Sequence, residues 1–191
     1  MRLNNHICTD KCVCGVPFSA KIIKPCGTNN ARVLKNLRKI NYICVHNTGN
    51  TSISAGDEAH ASYLQNVENA DKDYVSWHIT VDCDSATQHL PFDEMGYHAG
   101  DGSTGSGNAE SIGIEICENQ NYPQAEINGI KIICALMHEY KIPIERVLPH
   151  RYFAPRKKLC PHLILKSQKH WRSNWCSFQA RVMREYEEMF G

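Results

Sequence analysis

The chain has 191 residues, 42% apolar and 21% charged, with 21 Lys and Arg against 20 Asp and Glu. That length suits one domain with a sizeable core, and a net charge of +1 gives no global basic field for nucleic acid. No apolar run is long enough to span a bilayer, and Met1 to His6 turns polar too early for a secretory signal, so synthesis in the cytoplasm is expected.

Residues 1–17 differ in character from the rest and are expected to form a cysteine-rich N-terminal extension, followed by one domain over 18–191. Cys8, Cys12, Cys14 and Cys26 could share a metal, stay as free thiols or pair as a disulfide; the spacing lacks the paired C-x2-C knuckles of structural zinc sites. A redox or nucleic-acid module would rest on this segment alone. Asn30 is placed to cap a short helix through Leu37, with the basic residues 32–39 as its solvated face.

Ile43 to Val45 is a β-leaning apolar run that ends in His46-Asn47-Thr48-Gly49. A strand that delivers a histidine where a loop begins holds a potential metal ligand firmly while the loop opens space for substrate. A helix is expected over 55–70, with Ala59, Tyr63, Leu64 and Val67 as its core face. Residues 74–82 alternate as a strand, with 86–90 as its hairpin partner across Cys83-Asp84-Ser85. In that strand Trp77, Ile79 and Val81 share one face, and His78 and Thr80 the other. His60, His89, His138 and His170 read as surface residues.

Met95 to Gly107 is too glycine-rich for a helix or a central strand, and Tyr97 and His98 at its start suggest a wall facing substrate. In Ser111 to Asn119, Ile112, Ile114 and Ile116 alternate toward a core and Glu115 lies on the opposite face, as an edge charge or a general base. Glu118 competes for that role, but the alternation favours Glu115. A helix follows over 125–140, with Ile127, Ile130, Ile133, Cys134 and Met137 on its buried stripe. Val147-Leu148-Pro149-His150 is a second apolar run ending in histidine, and Cys160 lies ten residues beyond it. Two strand-end histidines and a cysteine make a three-ligand zinc set with an open fourth position. The last helix, 171–190, buries Trp175, Phe178, Val182 and Met189.

The motifs His46-Asn47-Thr48-Gly49, Ser76-Trp77-His78, His98-Ala99-Gly100-Asp101-Gly102, Ile112-Gly113-Ile114-Glu115, and His150 with Lys158-x-Cys160-Pro161 occur in an order that resembles the zinc-dependent N-acetylmuramoyl-L-alanine amidases. This amidase-2 family includes phage endolysins, bacterial autolysins and the peptidoglycan-recognition proteins. The chain is most similar to the Gram-positive autolysins and endolysins, over roughly residues 40 to 165.

The resemblance implies an α/β fold, a mixed sheet flanked by helices. It also implies Zn2+ held by His46, His150 and Cys160, with Glu115 as general base and Lys158 stabilising the oxyanion. His98, Tyr97 and His78 would contact substrate, His78 alternatively from behind a ligand. The expected substrate is peptidoglycan, cut between N-acetylmuramic acid and L-alanine by a monomer acting at the cell wall after lysis or non-classical release. A non-catalytic peptidoglycan-binding protein of the same fold is the alternative. Two departures stand out. Ala154-Pro155-Arg156-Lys157 replaces a shorter loop with Ser-Gly before the lysine, which leaves Lys157 as a rival of Lys158. Tyr97 stands where many relatives carry Trp.

Overall fold

A computed structural model describes residues 1–25, 31–67 and 75–191. The expected metal position of Cys26, the cap at Asn30, the strand start at Tyr74 and the helix end at Ala70 lie outside those residues.

Seven strands form a mixed sheet in the order β3-β4-β7-β6-β8-β5-β9. They are β3 (Cys12–Val13), β4 (Val16–Ala20), β5 (Tyr42–Asn47), β6 (Ile79–Val81), β7 (Ala86–Gln88), β8 (Ser111–Ile116) and β9 (Val147–Pro149). The central strands β6, β8, β5 and β9 run parallel, and β6 and β7 form the expected hairpin, with Val81 opposite Ala86. A separate two-stranded ladder pairs β1 (Leu3–Asn4) with β2 (Ile7–Cys8).

Alternation on β5 and β8 divides the molecule. Ile43, Val45, Ile112, Ile114 and Ile116 turn to one side and are fully buried with Ile132, Ile133 and Leu136 of α3 (Tyr122–Tyr140). Each such isoleucine contributes about 2 kcal/mol by leaving water. Gly129 lets α3 approach this face, since a Cβ there would sit 2.8 Å from Ile116. Asn121 caps α3 by accepting from the Gln124 N–H, and Lys141, in the left-handed conformation, ends it by donating to the Met137 carbonyl. Outside α3 packs α6 (Trp171–Phe190), which buries Trp175, Phe178 and Val182 as its periodicity predicts. α5 (His162–Leu165) packs against α6 and adds Ile164 and Leu165 to this core, whereas α1 (Asp57–Asn66), α2 (Ser106–Glu110) and α4 (His150–Phe153) lie away from it, with Leu64 and Phe153 in separate apolar clusters.

Several expectations need correction. A domain boundary after residue 17 would cut β4, and Cys8, Val13 and Val16 belong to the main core, so residues 1–20 extend the same body. No helix forms over 31–37. There the backbone is tied to the 93–95 segment, with Leu37 N–H donating to Asp93 and Met95 N–H to Lys35. Arg32 is not solvated but forms a two-pronged ion pair with Glu94. On α1 the buried residues are Asp57, Ala61 and Leu64, whereas Ala59 and Tyr63 are exposed. Ile127 on α3 is 40% exposed, and His89 is fully buried, bonded through Nε2 to Thr80 Oγ1.

Candidate active site

The register of the parallel strands builds the site. His46 on β5 lies directly beside Glu115 on β8, which in turn lies beside Thr80 on β6. Val45 pairs with Pro149, so His150 follows one residue beyond, beside His46. Residues adjacent across parallel strands share a face, so His150, His46 and Glu115 form a row across the carboxyl ends of three strands. Ligands of open α/β sheets bind at such ends. The opposite alternation sends the isoleucines into the core, so one pattern specifies both faces.

The segment carrying Cys160 is fastened to this row. Asn47, at the end of β5, accepts the Leu163 N–H through Oδ1 at 3.0 Å. Cys160 Sγ then lies 3.9 Å from His46 Nδ1, and the His46 and His150 ring centroids are 4.5 Å apart. One donor atom from each of His46, His150 and Cys160 falls within 4.8 Å of the others.

The surrounding bonds free these donors. His150 Nε2 donates to the Ala99 carbonyl at 3.1 Å, which leaves Nδ1 with a lone pair, buried and without a partner. His46 Nε2 lies 3.1 Å from His98 Nδ1 and 3.1 Å from Cys44 Sγ, so the other nitrogen faces Cys160 and Glu115. Two ring nitrogens and one sulfur converging on one point match a borderline-soft divalent metal, and the buried His150 nitrogen meets no other partner. The residues therefore fit a metal centre of the zinc type. A second trio, Cys44, His46 and His98, also lies within 4.8 Å, but it uses the His46 nitrogen turned away from Glu115.

Glu115 Oε1 stands 3.6 Å from His46 Nδ1, and Oε2 is buried with no partner. Burial raises the Glu115 carboxyl to about 8, opposed by the Lys158 charge. Burial also pushes the Cys160 thiol up to about 12 and holds His46 and His150 below the usual imidazole range. All of these shifts favour the uncharged form, so the pocket is poised for a cation. Glu118 is occupied elsewhere, accepting the Gly49 N–H at 2.6 Å and pairing with His162 at 3.3 Å.

The charge of Lys158 acts on Glu115, His46, His150 and Cys160 alike. Lys157 instead donates from Nζ to the Tyr152 carbonyl at 3.1 Å. His78 is fully buried: Nδ1 accepts the Gly113 N–H at 2.9 Å and Nε2 donates to the Glu94 carbonyl at 2.8 Å. It is thus part of the frame and cannot reach a substrate. His98 stands behind His46, with its ring over Gly113, where a Cβ would come within 2.7 Å of it. Tyr97 is half-buried and exchanges backbone-level bonds with Ser76. The glycine loop folds onto itself: Asp101 accepts the Gly107 and Asn108 N–H groups, and Asn108 accepts those of His98 and Ala99.

A groove of about 360 Å³ opens from Glu115 along Thr48, Ala59, His60, Tyr63 and Trp77. Tyr63 stacks on Trp77 with centroids 6.3 Å apart. Thr48 Oγ1 is buried and unpartnered. Ala59, Tyr63 and Thr48 are wall residues that sequence reasoning missed. The available signal was that α1 carries apolar residues on two faces, Ala61 and Leu64 on one and Ala59 and Tyr63 on the other. The N-terminal cysteines Cys8, Cys12 and Cys14 form no metal-holding group among the described residues.

Residues 36–163 match the family model described as N-acetylmuramoyl-L-alanine amidase. The chain belongs to this family. It is 49% identical over 111 residues to the N-acetylmuramoyl-L-alanine amidase CwlH of Bacillus subtilis, covering 57% of this chain and 43% of that protein. It is 50% identical over 111 residues to the amidase XlyA of the same organism, covering 57% of this chain and 36% of XlyA. The chain thus spans less than half the length of these curated relatives. The solved catalytic domain of XlyA superposes with a TM-score of 0.74 at 41% identity, covering 87% of this chain and 99% of that one. A mutant endolysin from Bacillus subtilis gives 0.73 at 42% identity with the same coverages. The family's sheet flanked by helices is therefore the fold of this chain, and the resemblance and fold class read from the motifs hold.

Proposed function

We propose that this chain hydrolyses the amide joining the lactyl group of N-acetylmuramic acid to L-alanine in peptidoglycan, using zinc held by His46, His150 and Cys160. The observation that carries this reading is the row of His150, His46 and Glu115 across three strand ends, closed by Cys160 and opening into the groove. The curated relatives with about half of their aligned residues identical are named as amidases of this specificity.

When bound, zinc supplies Lewis acidity toward the scissile carbonyl and the attacking water. Glu115 accepts the proton of that water and returns it to the leaving amine of L-alanine. Its high affinity for a proton in the buried pocket suits the return step. Lys158 places its ammonium against the developing oxyanion. Trp77 and Tyr63 offer an apolar face to the muramyl peptide, and Thr48 offers a free hydroxyl at the end near Glu115. His46 and His150 hold their ligand nitrogens through bonds on the other side of each ring. With Cys160 and Glu115 both in place, turnover is favoured over binding alone. The site of action is the cell wall, where this substrate is found.

The test is a defined muramyl tripeptide incubated with the zinc-loaded protein and analysed by mass. The expected products are the free lactyl acid and a peptide with N-terminal alanine. Uncleaved tripeptide that nonetheless binds would assign the protein to the non-catalytic branch.

A further inference from the structure

The cationic side chains are unevenly distributed. Residues 151–172 hold seven of the 21 Lys and Arg and no Asp or Glu, leaving 14 cationic against 20 acidic side chains in the remainder. A near-neutral chain thus carries one strongly positive segment on an otherwise acidic body. One member, Lys158, serves the proposed reaction. The others have no part in the proposed reaction.

Arg156, Lys157, Lys166, Lys169 and Arg172 are exposed. Among the described residues none of them is in an ion pair; of the carboxylates near this segment, Glu118 is taken by His162, and Glu126, which lines a groove with Lys166, by Arg181. The two ends of the segment meet at Trp171. The Arg151 guanidinium lies 5.2 Å from the centre of that indole and the Arg172 guanidinium 4.6 Å from it. Arg151 also donates to the Lys157 carbonyl, which joins the loop before Cys160 to the first turn of α6 in one surface. Gathering like charges on one ring raises the free energy of the unliganded surface, and an anion laid across it relieves that repulsion.

We propose that this surface, beside the catalytic row, binds a linear phosphate polymer. Exposed lysines and arginines spread along a surface recognise charge density rather than side-chain shape. An acidic peptide would need an apolar anchor, and Trp171 is already bracketed by two guanidiniums. Under the amidase reading such a polymer would run beside the glycan and hold the enzyme at the bond it cuts. The binding itself does not depend on that reading.

The test uses labelled long-chain inorganic polyphosphate and the zinc-loaded protein, followed by fluorescence anisotropy across salt concentrations. Binding that weakens steeply with salt is expected. An Arg156→Glu, Lys169→Glu, Arg172→Glu triple variant should lose on the order of tenfold or more in affinity. A Lys11→Glu, Lys24→Glu, Lys39→Glu triple variant, with the same change in net charge outside the segment, should stay close to wild type. Both variants should melt as wild type does and cleave a soluble muramyl tripeptide at the wild-type rate. Equal losses in the two triples would overturn the localised surface, and equally tight binding of poly-L-glutamate would overturn the choice of phosphate. Failure of the wild type to cleave the tripeptide would remove the amidase reading and leave the polyphosphate result standing.

Discussion

His46 Nε2 and His98 Nδ1 lie 3.1 Å apart, with the ring planes nearly perpendicular at 86°. A histidine that coordinates through one nitrogen donates its other N–H to an acceptor, and that bond fixes which nitrogen is free for metal. The Cys44 thiol is equally near, but burial keeps it protonated and a poor acceptor. His98 Nδ1 faces His46 and accepts that N–H, which puts the His98 proton on Nε2, a buried atom with no hydrogen-bond partner. His98→Ala should therefore weaken zinc binding by about 10- to 100-fold. Competition with a calibrated chelator measures it, and unchanged affinity would show that His46 needs no such partner.

Gly113 supports the same bond from below. A Cβ there would lie 2.7 to 2.8 Å from three atoms of the His98 ring, which is packed too tightly to yield cheaply. Gly113→Ala should lower zinc affinity in the same direction as His98→Ala. Combining the two should add little, because both act through one bond.

Glu115→Ala should keep the metal and lose turnover by a factor of about 10² to 10⁴, the usual contribution of a general base. Glu118→Ala should cost far less, since Glu118 serves the Gly49 loop and His162. Zinc content measured on the same samples separates loss of the base from loss of the site.

The metal-free protein should be unstable toward acid. Burial lowers His78 to about 4 and His89 to about 3, against an ordinary value of 6.5. Between those values the unfolded chain binds protons that the folded chain refuses. The histidines' share of the stability is therefore complete above the ordinary value and falls as pH drops below it, offset in part by Glu115, whose raised value works the opposite way between its ordinary value and about 8. Each such histidine contributes about 1.4 kcal/mol per pH unit through that window. His46, His98 and His150 are displaced in the same direction. Urea unfolding between pH 7 and pH 4 should show the slope, and His89→Gln should remove one increment of it.

Arg32 forms a bidentate pair with Glu94 and also donates to the Ile23 carbonyl, and the Glu94 carbonyl in turn accepts from His78. Both side chains are largely buried, so Arg32→Ala strands a carboxylate and should cost about 3 kcal/mol in urea unfolding. A cost near zero would mean that water replaces the guanidinium.

The meeting of His46, His150, Glu115 and Cys160 was legible because each part carries a local signal: apolar runs that stop at His46 and His150, an alternating strand that turns Glu115 away from its isoleucines, and a cysteine after a lysine. The histidines behind it were not. His78 and His98 differ from ligands only in what their ring nitrogens meet, and those partners come from Glu94, Gly113 and His46, distant in sequence. His89 read as a surface residue because its partner Thr80 is supplied across a hairpin. On α1 the apolar residues serve both a core and a groove, so periodicity alone merged Tyr63 with Leu64. The segment 31–37 looked helical, but its backbone groups are claimed by residues 93–95, a pairing that no local pattern reveals.

The most direct measurement treats purified peptidoglycan with the protein, with and without a zinc chelator, and identifies the groups released. The account predicts new N-terminal alanine without new reducing sugar, abolished by the chelator and restored by zinc. New reducing ends, or alanine release that persists after the metal is removed, would contradict it.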